Sequence, residues 1–187
     1  MSKERNNKRR EDLQEVLFSE EVLSEKIKEL AAQISNDYRG KELVVVAILK
    51  GSVVFTAELI KNINIYCELD FMAVSSYGNS TETSGVVRIL KDLDSSIEGK
   101  HILIVEDIVD TGTTLSYLLK YLKARKAESI EIVALLNKPA RRKVELPVKY
   151  IGFEVPDAFI VGYGIDYAER YRNLPCIGIL KPEVYEK

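Results

Sequence analysis

Glu106, Asp107, Asp110, Thr111, Thr113 and Thr114 lie in one short stretch directly after the apolar run Ile102-Leu103-Ile104-Val105. In a parallel α/β sheet, ligands bind at the carboxyl ends of the strands, and a turn leading into a helix there can hold a phosphate with its free N–H groups. Three carboxylates beside a hydroxyl-rich turn therefore point to phosphate, sugar and acid–base chemistry. Two adjacent acids repel each other unless a cation or a hydroxyl lies near them, and a ribose diol with a divalent cation supplies both. The plainer alternative for Glu106 and Asp107 is a solvated strand end. Gly112 allows a positive φ or close backbone approach, the threonines donate hydroxyls, and the following helix contributes its positive end, which makes a phosphate cradle without a lysine. Asp and Thr are also common helix caps, so taken alone the turn fits an ordinary capped helix equally well.

The rest of the chain narrows the chemistry by what it lacks. Gly51 opens no G-x-x-x-x-G-K-[ST] element, and Gly162-Tyr163-Gly164 has neither the third glycine nor the strand-turn-helix context of a dinucleotide fingerprint. An NTPase or a dehydrogenase is disfavoured. His101 is the only histidine; it opens the Ile102 strand and reads as a half-exposed structural residue, which counts against Ser-His-Asp and Cys-His mechanisms. Cys67 and Cys176 have no C-x-x-C spacing, so they are expected as reduced, buried thiols. The charges nearly cancel, 27 Lys and Arg against 29 Asp and Glu, and no nucleic-acid partner is expected. No apolar run approaches a membrane span, and the basic N-terminus leads to no apolar signal region. The expectation is a cytoplasmic protein with no membrane partner.

The elements that must position these residues follow from apolar spacing. The 187 residues fit one domain with a substantial core. Residues 1–12 read as a flexible, charged arm. Ser19 caps a helix whose apolar positions are Val22, Leu23, Ile27, Leu30, Ala31 and Ile34, and Gly40 ends it. Leu43 to Leu49 is a continuous β-branched run, a strand covered on both faces. Lys50-Gly51-Ser52 turns into a second helix, a strand near Leu69 to Val74 leads to the polar segment Ser75 to Gly85, and Val86 to Leu90 resumes a strand. Leu115, Leu118, Leu119 and Leu122 line the helix after the acidic motif; Ile130 to Leu136 is the next strand. This alternation predicts an α/β fold with a parallel-sheet core and helices on both faces. Residues from about 150 to 187, with Tyr150 to Glu154 and Phe159 to Gly162 as short strands, are expected to form a small hood.

The run Val105 to Thr114 resembles the phosphoribosyl-pyrophosphate-binding motif of type I phosphoribosyltransferases. More narrowly, Leu49-Lys50-Gly51, Ser75-Ser76-Tyr77-Gly78, Lys138-Pro139, Val155-Pro156-Asp157 and Phe159 to Tyr167 occur in the order found in hypoxanthine-guanine phosphoribosyltransferases of the bacterial type. The resemblance covers about residues 15 to 185. It implies the type I core with a hood from the C-terminal and N-terminal segments, and a purine salvage activity. That activity transfers the 5-phosphoribosyl group from phosphoribosyl pyrophosphate to hypoxanthine or guanine, giving IMP or GMP and pyrophosphate.

The resemblance also implies the following roles. Glu106 and Asp107 engage the ribose hydroxyls and Mg2+, Thr111, Gly112, Thr113 and Thr114 hold the 5'-phosphate, and Asp110 is the general acid or base near the purine N7. Lys50 and Gly51, after a cis peptide, contact pyrophosphate together with Arg172, and Asp166 binds a second magnesium. Lys138 donates to the 6-oxo group of a 6-oxopurine, Phe159 stacks on the ring, and the Ile160 backbone and Asp166 read the far edge. Ser76 and Tyr77 belong to a lid. A homodimer or homotetramer is the family habit. Asn173 departs from members that carry an acid there, without touching this chemistry. Two rivals are weighed against this reading. An RNA-binding regulator on the same fold would need a basic face; a phospho-acceptor receiver domain leaves the lid and Lys50-Gly51 without a use.

Overall fold

A computed structural model describes residues 9–76 and 87–186. The strand Leu13–Phe18 (β1) is followed by the helix Glu20–Asp37 (α1), the strand Leu43–Leu49 (β2), the helix Val53–Asn62 (α2) and the strands Cys67–Ser76 (β3), Val87–Lys91 (β4) and His101–Val109 (β5). Then come the helix Thr113–Lys123 (α3), the strand Ser129–Asn137 (β6), a 3-10 turn at Pro139–Arg141, the strands Tyr150–Glu154 (β7), Ile160–Val161 (β8) and Ile177–Leu180 (β9), and the short helix Pro182–Tyr185 (α4).

Six strands form the main sheet in the order β4-β3-β2-β5-β6-β7. All neighbours run parallel except β4, which lies antiparallel on β3 at one edge. Because side chains alternate across a strand, β2 and β5 each feed two cores. On one face Leu43, Val45, Leu103 and Val105 pack with Leu23, Ile27, Ile34, Phe55 and Leu59 of α1 and α2. On the other, Val44, Val46, Ile48, Ile102 and Ile104 pack with Leu115, Leu118, Leu119 and Leu122 of α3. The helices thus cover both faces, and the carboxyl ends of β2, β5 and β6 open toward the same side. Ser19 caps α1 by accepting from the Val22 N–H at 3.4 Å, with Glu20 and Glu21 in the first turn where the helix end favours acids.

Two elements differ from the sequence-based expectation. Tyr150–Glu154, assigned there to the hood, is the edge strand of the main sheet and pairs parallel with β6 from Val133↔Tyr150 to Asn137↔Glu154. The segment joining β6 to β7 contains no α-helix, so the usual strand-helix-strand signature of a parallel crossover is missing from the sequence. Second, Leu13–Phe18, for which no element was expected, is a strand. It pairs antiparallel with β9, which pairs in turn with β8, giving a separate three-stranded sheet. Its own small core holds Leu13, Val161, Tyr171, Leu174, Cys176 and Leu180. Cys176 is buried and Cys67 half-buried, and both thiols are free. His101 is half-buried, with Nδ1 2.7 Å from the Ser129 hydroxyl.

Leu118 is fully enclosed beneath the helix that begins at the phosphate turn. Leu118→Ala is expected to cost about 3 kcal/mol and to lower the thermal midpoint by roughly 6–12 °C, as read by calorimetry or circular dichroism.

Candidate active site

β5 carries Glu106 and Asp107 to the rim of the sheet, where both are half-buried. Burial, reinforced by the neighbouring Asp107 charge, holds the Glu106 carboxyl well above the ordinary range. Burial likewise raises Asp107, to about 6, against the opposing pull of backbone N–H groups and of Arg172. Asp107 Oδ1 accepts from the Ile108 N–H at 2.8 Å, and its other oxygen lies against the Cα of Gly51, where a methyl group would overlap it. At Gly51 it is this close approach of the Asp107 carboxylate, not an unusual φ, that a side chain would disturb. The peptide between Leu49 and Lys50 is cis. Behind it Ser52 Oγ donates to Ile48 O at 2.7 Å, and the Thr56 N–H donates to Ser52 O at 2.8 Å as α2 begins.

A second layer comes from the loop after β8. A methyl group on Gly164 would overlap the Gly51 carbonyl oxygen. Arg172 Nη1 donates to Gly164 O at 2.9 Å, and its Nη2 pairs with Asp166 Oδ1 at 2.8 Å and with Glu169 Oε2 at 3.4 Å. Glu169 reaches back to Lys50 Nζ at 3.3 Å. The loop holds this arrangement with left-handed backbone at Tyr163, Ala168, Glu169 and Tyr171.

The turn after β5 has Gly112 at φ +82, the left-handed region, as the cap of α3. No side chain closes the helix start, so the alternative of a conventionally capped helix is not what forms. The first-turn N–H groups, among them those of Thr113 and Thr114, lack helical acceptors; a long 3.4 Å contact from the Thr113 N–H to Thr111 Oγ1 is the local substitute. This is an anion-binding geometry. Asp110 stands at its entrance with Oδ2 at 4.0 Å from Arg141 Nη1.

The chain after β6 supplies the remaining groups. Lys138 is buried, not solvated: Nζ donates to Ala158 O at 2.8 Å and lies 3.9 Å from Asp157 Oδ1, and burial pushes its ammonium below the usual lysine range. Phe159 is 38% exposed, unlike a core aromatic. Its ring stacks on Tyr185 at 4.8 Å and meets Tyr167 edge-on at 5.1 Å. Ile160 lies on β8, an edge strand of the small sheet.

Among the described residues, four side-chain polar atoms are buried without a hydrogen-bond partner: the Tyr38 hydroxyl at the end of α1, and Glu106 Oε2, Asp110 Oδ1 and Arg172 Nε, which belong to the site. Polar atoms left this way normally cost stability, and the gathering of the last three at one rim marks groups kept for a ligand. No set of three His, Cys, Asp or Glu that could hold a metal unaided occurs among the described residues. Glu106, Asp107 and Asp166 instead suit a hard cation that takes one or two carboxylates and completes its shell from substrate oxygens. Tyr77 lies outside the described residues, and Ser76 is the last residue of β3 before that gap. Sequence reasoning passed over Glu169, Arg141 and Arg142. The only local signal was a pair of arginines just after Lys138-Pro139, and an acid three residues before Arg172.

A family model described as Phosphoribosyl transferase domain matches residues 17–168. The hypoxanthine-guanine phosphoribosyltransferase of Bacillus subtilis (strain 168) is 58% identical over 175 residues, covering 94% of this chain and 97% of the relative. A crystal structure of a hypoxanthine phosphoribosyltransferase from Staphylococcus aureus superimposes with a TM-score of 0.92 at 56% identity, covering 95% of this chain and 96% of the other. A hypoxanthine-guanine phosphoribosyltransferase from Bacillus anthracis, with HEPES in its active site, gives 0.87 at 52% identity over 90% and 99%.

Two outcomes are expected from this geometry. Gly51→Ala should abolish the activity of the site while the protein stays folded, because the new methyl displaces the Asp107 carboxylate; retained activity would show that this close approach is dispensable. Between about pH 4 and 6 the folded chain holds a proton on Asp107 that the unfolded chain has released, so Asp107 weakens folding progressively as the pH rises. The stability of Asp107→Asn relative to the parent should therefore increase across that window, measured by urea unfolding at each pH.

Proposed function

The chain belongs to the phosphoribosyltransferase family, and within that family we propose that it is a hypoxanthine-guanine enzyme, transferring the 5-phosphoribosyl group from phosphoribosyl pyrophosphate to a 6-oxopurine. The observation that carries this reading is the gathering of buried, unpartnered Glu106, Asp110 and Arg172 atoms between an open anion-binding turn and a buried lysine beside an exposed aromatic ring.

Each group then has a task. The N–H groups and hydroxyls from Thr111 to Thr114 hold the 5'-phosphate, with Gly112 allowing the turn. Glu106 and Asp107 engage the ribose hydroxyls. Lys50, the Gly51 backbone and Arg172 hold the pyrophosphate as charge builds on it. Lys138 Nζ donates to O6 of the purine; adenine presents an amino donor there instead, so a buried ammonium that needs an acceptor selects against it. Phe159 stacks on the ring, and the edge-strand backbone at Ile160, with Asp166 nearby, reads the side bearing N1 and the 2-substituent.

With both substrates held, the C1'–oxygen bond to pyrophosphate breaks, the purine N9 bonds to C1', and Asp110 takes the proton that the imidazole ring gives up near N7. Magnesium, one ion at Glu106 and Asp107 and a second at Asp166, each completed by substrate oxygens, would, when bound, neutralise charge on the leaving pyrophosphate. Assembly as a homodimer or homotetramer and a cytoplasmic setting belong to the same proposal. No helix among the described residues is long and apolar enough to cross a membrane.

Purified protein given magnesium, phosphoribosyl pyrophosphate and each of hypoxanthine, guanine, xanthine and adenine should form nucleotide with the first two. Formation with adenine alone, or with none, would overturn the reading. Asp110→Ala should keep ligand affinity while losing rate, by about 100-fold or more.

A further inference from the structure

Arg142 lies outside every motif above and is given no substrate contact of its own. Its guanidinium nevertheless ties together two strand ends. Nε donates to Asp110 O at 3.1 Å, and Nη2 donates to Val109 O at 3.4 Å and to the side-chain oxygen of Asn137. Val109 O also accepts the Lys138 N–H at 3.0 Å. One side chain therefore joins the turn that carries Asp110 to the strand end that carries Lys138.

The neighbouring backbone extends the clasp. The N–H groups of Lys143 and Val144 both donate to Thr111 O, at 3.0 and 3.2 Å. Val144 O and Arg142 Cδ wall the open side of Gly112, 2.9 and 3.3 Å from where its Cβ would stand. A planar guanidinium can serve acceptors in several fixed directions at once, whereas an ammonium at the end of a flexible stem cannot reproduce that fork. The three acceptors belong to the elements whose separation decides how far the Asp110 carboxylate stands from a purine held by Lys138.

We propose that Arg142 is a positioning residue for the transfer step: by gripping the Val109 and Asp110 carbonyls and Asn137, it sets the reach of the Asp110 carboxylate to the bound base. This rests on the role given to Asp110 above. The purine's own contacts do not involve Arg142, so its loss acts on turnover rather than on base affinity.

The test compares Arg142→Ala, Arg142→Lys and Asp110→Ala in the full chain, with kcat and KM for hypoxanthine and a melting curve for each. A misplacement on the order of 1 Å is worth about 100-fold in rate, so Arg142→Ala should lose about that factor in kcat while its KM for hypoxanthine changes by less than about threefold. Arg142→Lys should recover part of the loss. Guanidinium chloride, well below the concentration that unfolds the parent, should raise the rate of Arg142→Ala and not that of Arg142→Lys. Parental kcat in Arg142→Ala beside an inactive Asp110→Ala overturns the positioning role. So does a loss that merely follows the unfolded fraction, or one that appears in KM alone. Parental kcat in Asp110→Ala would instead sink the role of Asp110 itself.

Discussion

Three backbone segments meet at the rim of the sheet because two glycines let them approach closer than any side chain would permit. The Asp107 carboxylate lies on Gly51, and the Gly51 carbonyl lies on Gly164. That stack joins the end of the central strand, the loop before α2 and the loop after β8, which carry Asp107, Lys50, Asp166 and Arg172. Arg172 is fixed to the Gly164 carbonyl, Lys50 is the residue before Gly51, and Asp166 follows two residues after Gly164. The spacing between the loops at Gly51 and Gly164 is thus set by backbone contact, while Asp107 reaches Gly51 through its side-chain carboxylate.

Such closeness has an energetic cost. Glu106 and Asp107 are neighbouring, half-buried acids, a placement that opposes their ionisation and gains the fold nothing by itself. The two continuous cores on either side of β2 and β5 supply the stability that tolerates it. The cations are treated differently. Lys50 and Arg172 already pair with Glu169 and Asp166, at exposed or half-exposed positions where ion pairs are weak. An incoming anion exchanges partners there instead of meeting bare charge.

What could be read from the chain tracks how local the determining physics is. The buried strands β2 and β5, the α1 cap and the acidic turn are written in contiguous residues, by apolar spacing and by the side chains that stop or start a helix. The hood boundary was not so legible: Tyr150–Glu154 is short, half-exposed and preceded by no helix, and only its pairing with β6 places it in the main sheet. Leu13–Phe18 needs a partner more than 150 residues away. A lysine is ordinarily solvated and a phenylalanine ordinarily buried, and only the folded chain shows Lys138 buried and the Phe159 ring exposed. Arg142 is harder still, because its acceptors are two main-chain carbonyls and an amide whose proximity exists only after β5 and β6 have paired.

The small sheet is sewn from opposite ends of the polypeptide: β9 lies between β1 and β8 and is the sole strand linking them. During synthesis, β1 emerges first and waits without a partner while the parallel sheet, the phosphate turn and the loop at Gly51 are completed. Phe159 and Ile160 acquire their support only when residues 177–180 arrive. A chain still being made can therefore complete the sheet that carries Asp107 and Asp110 before the support of Phe159 and Ile160 exists.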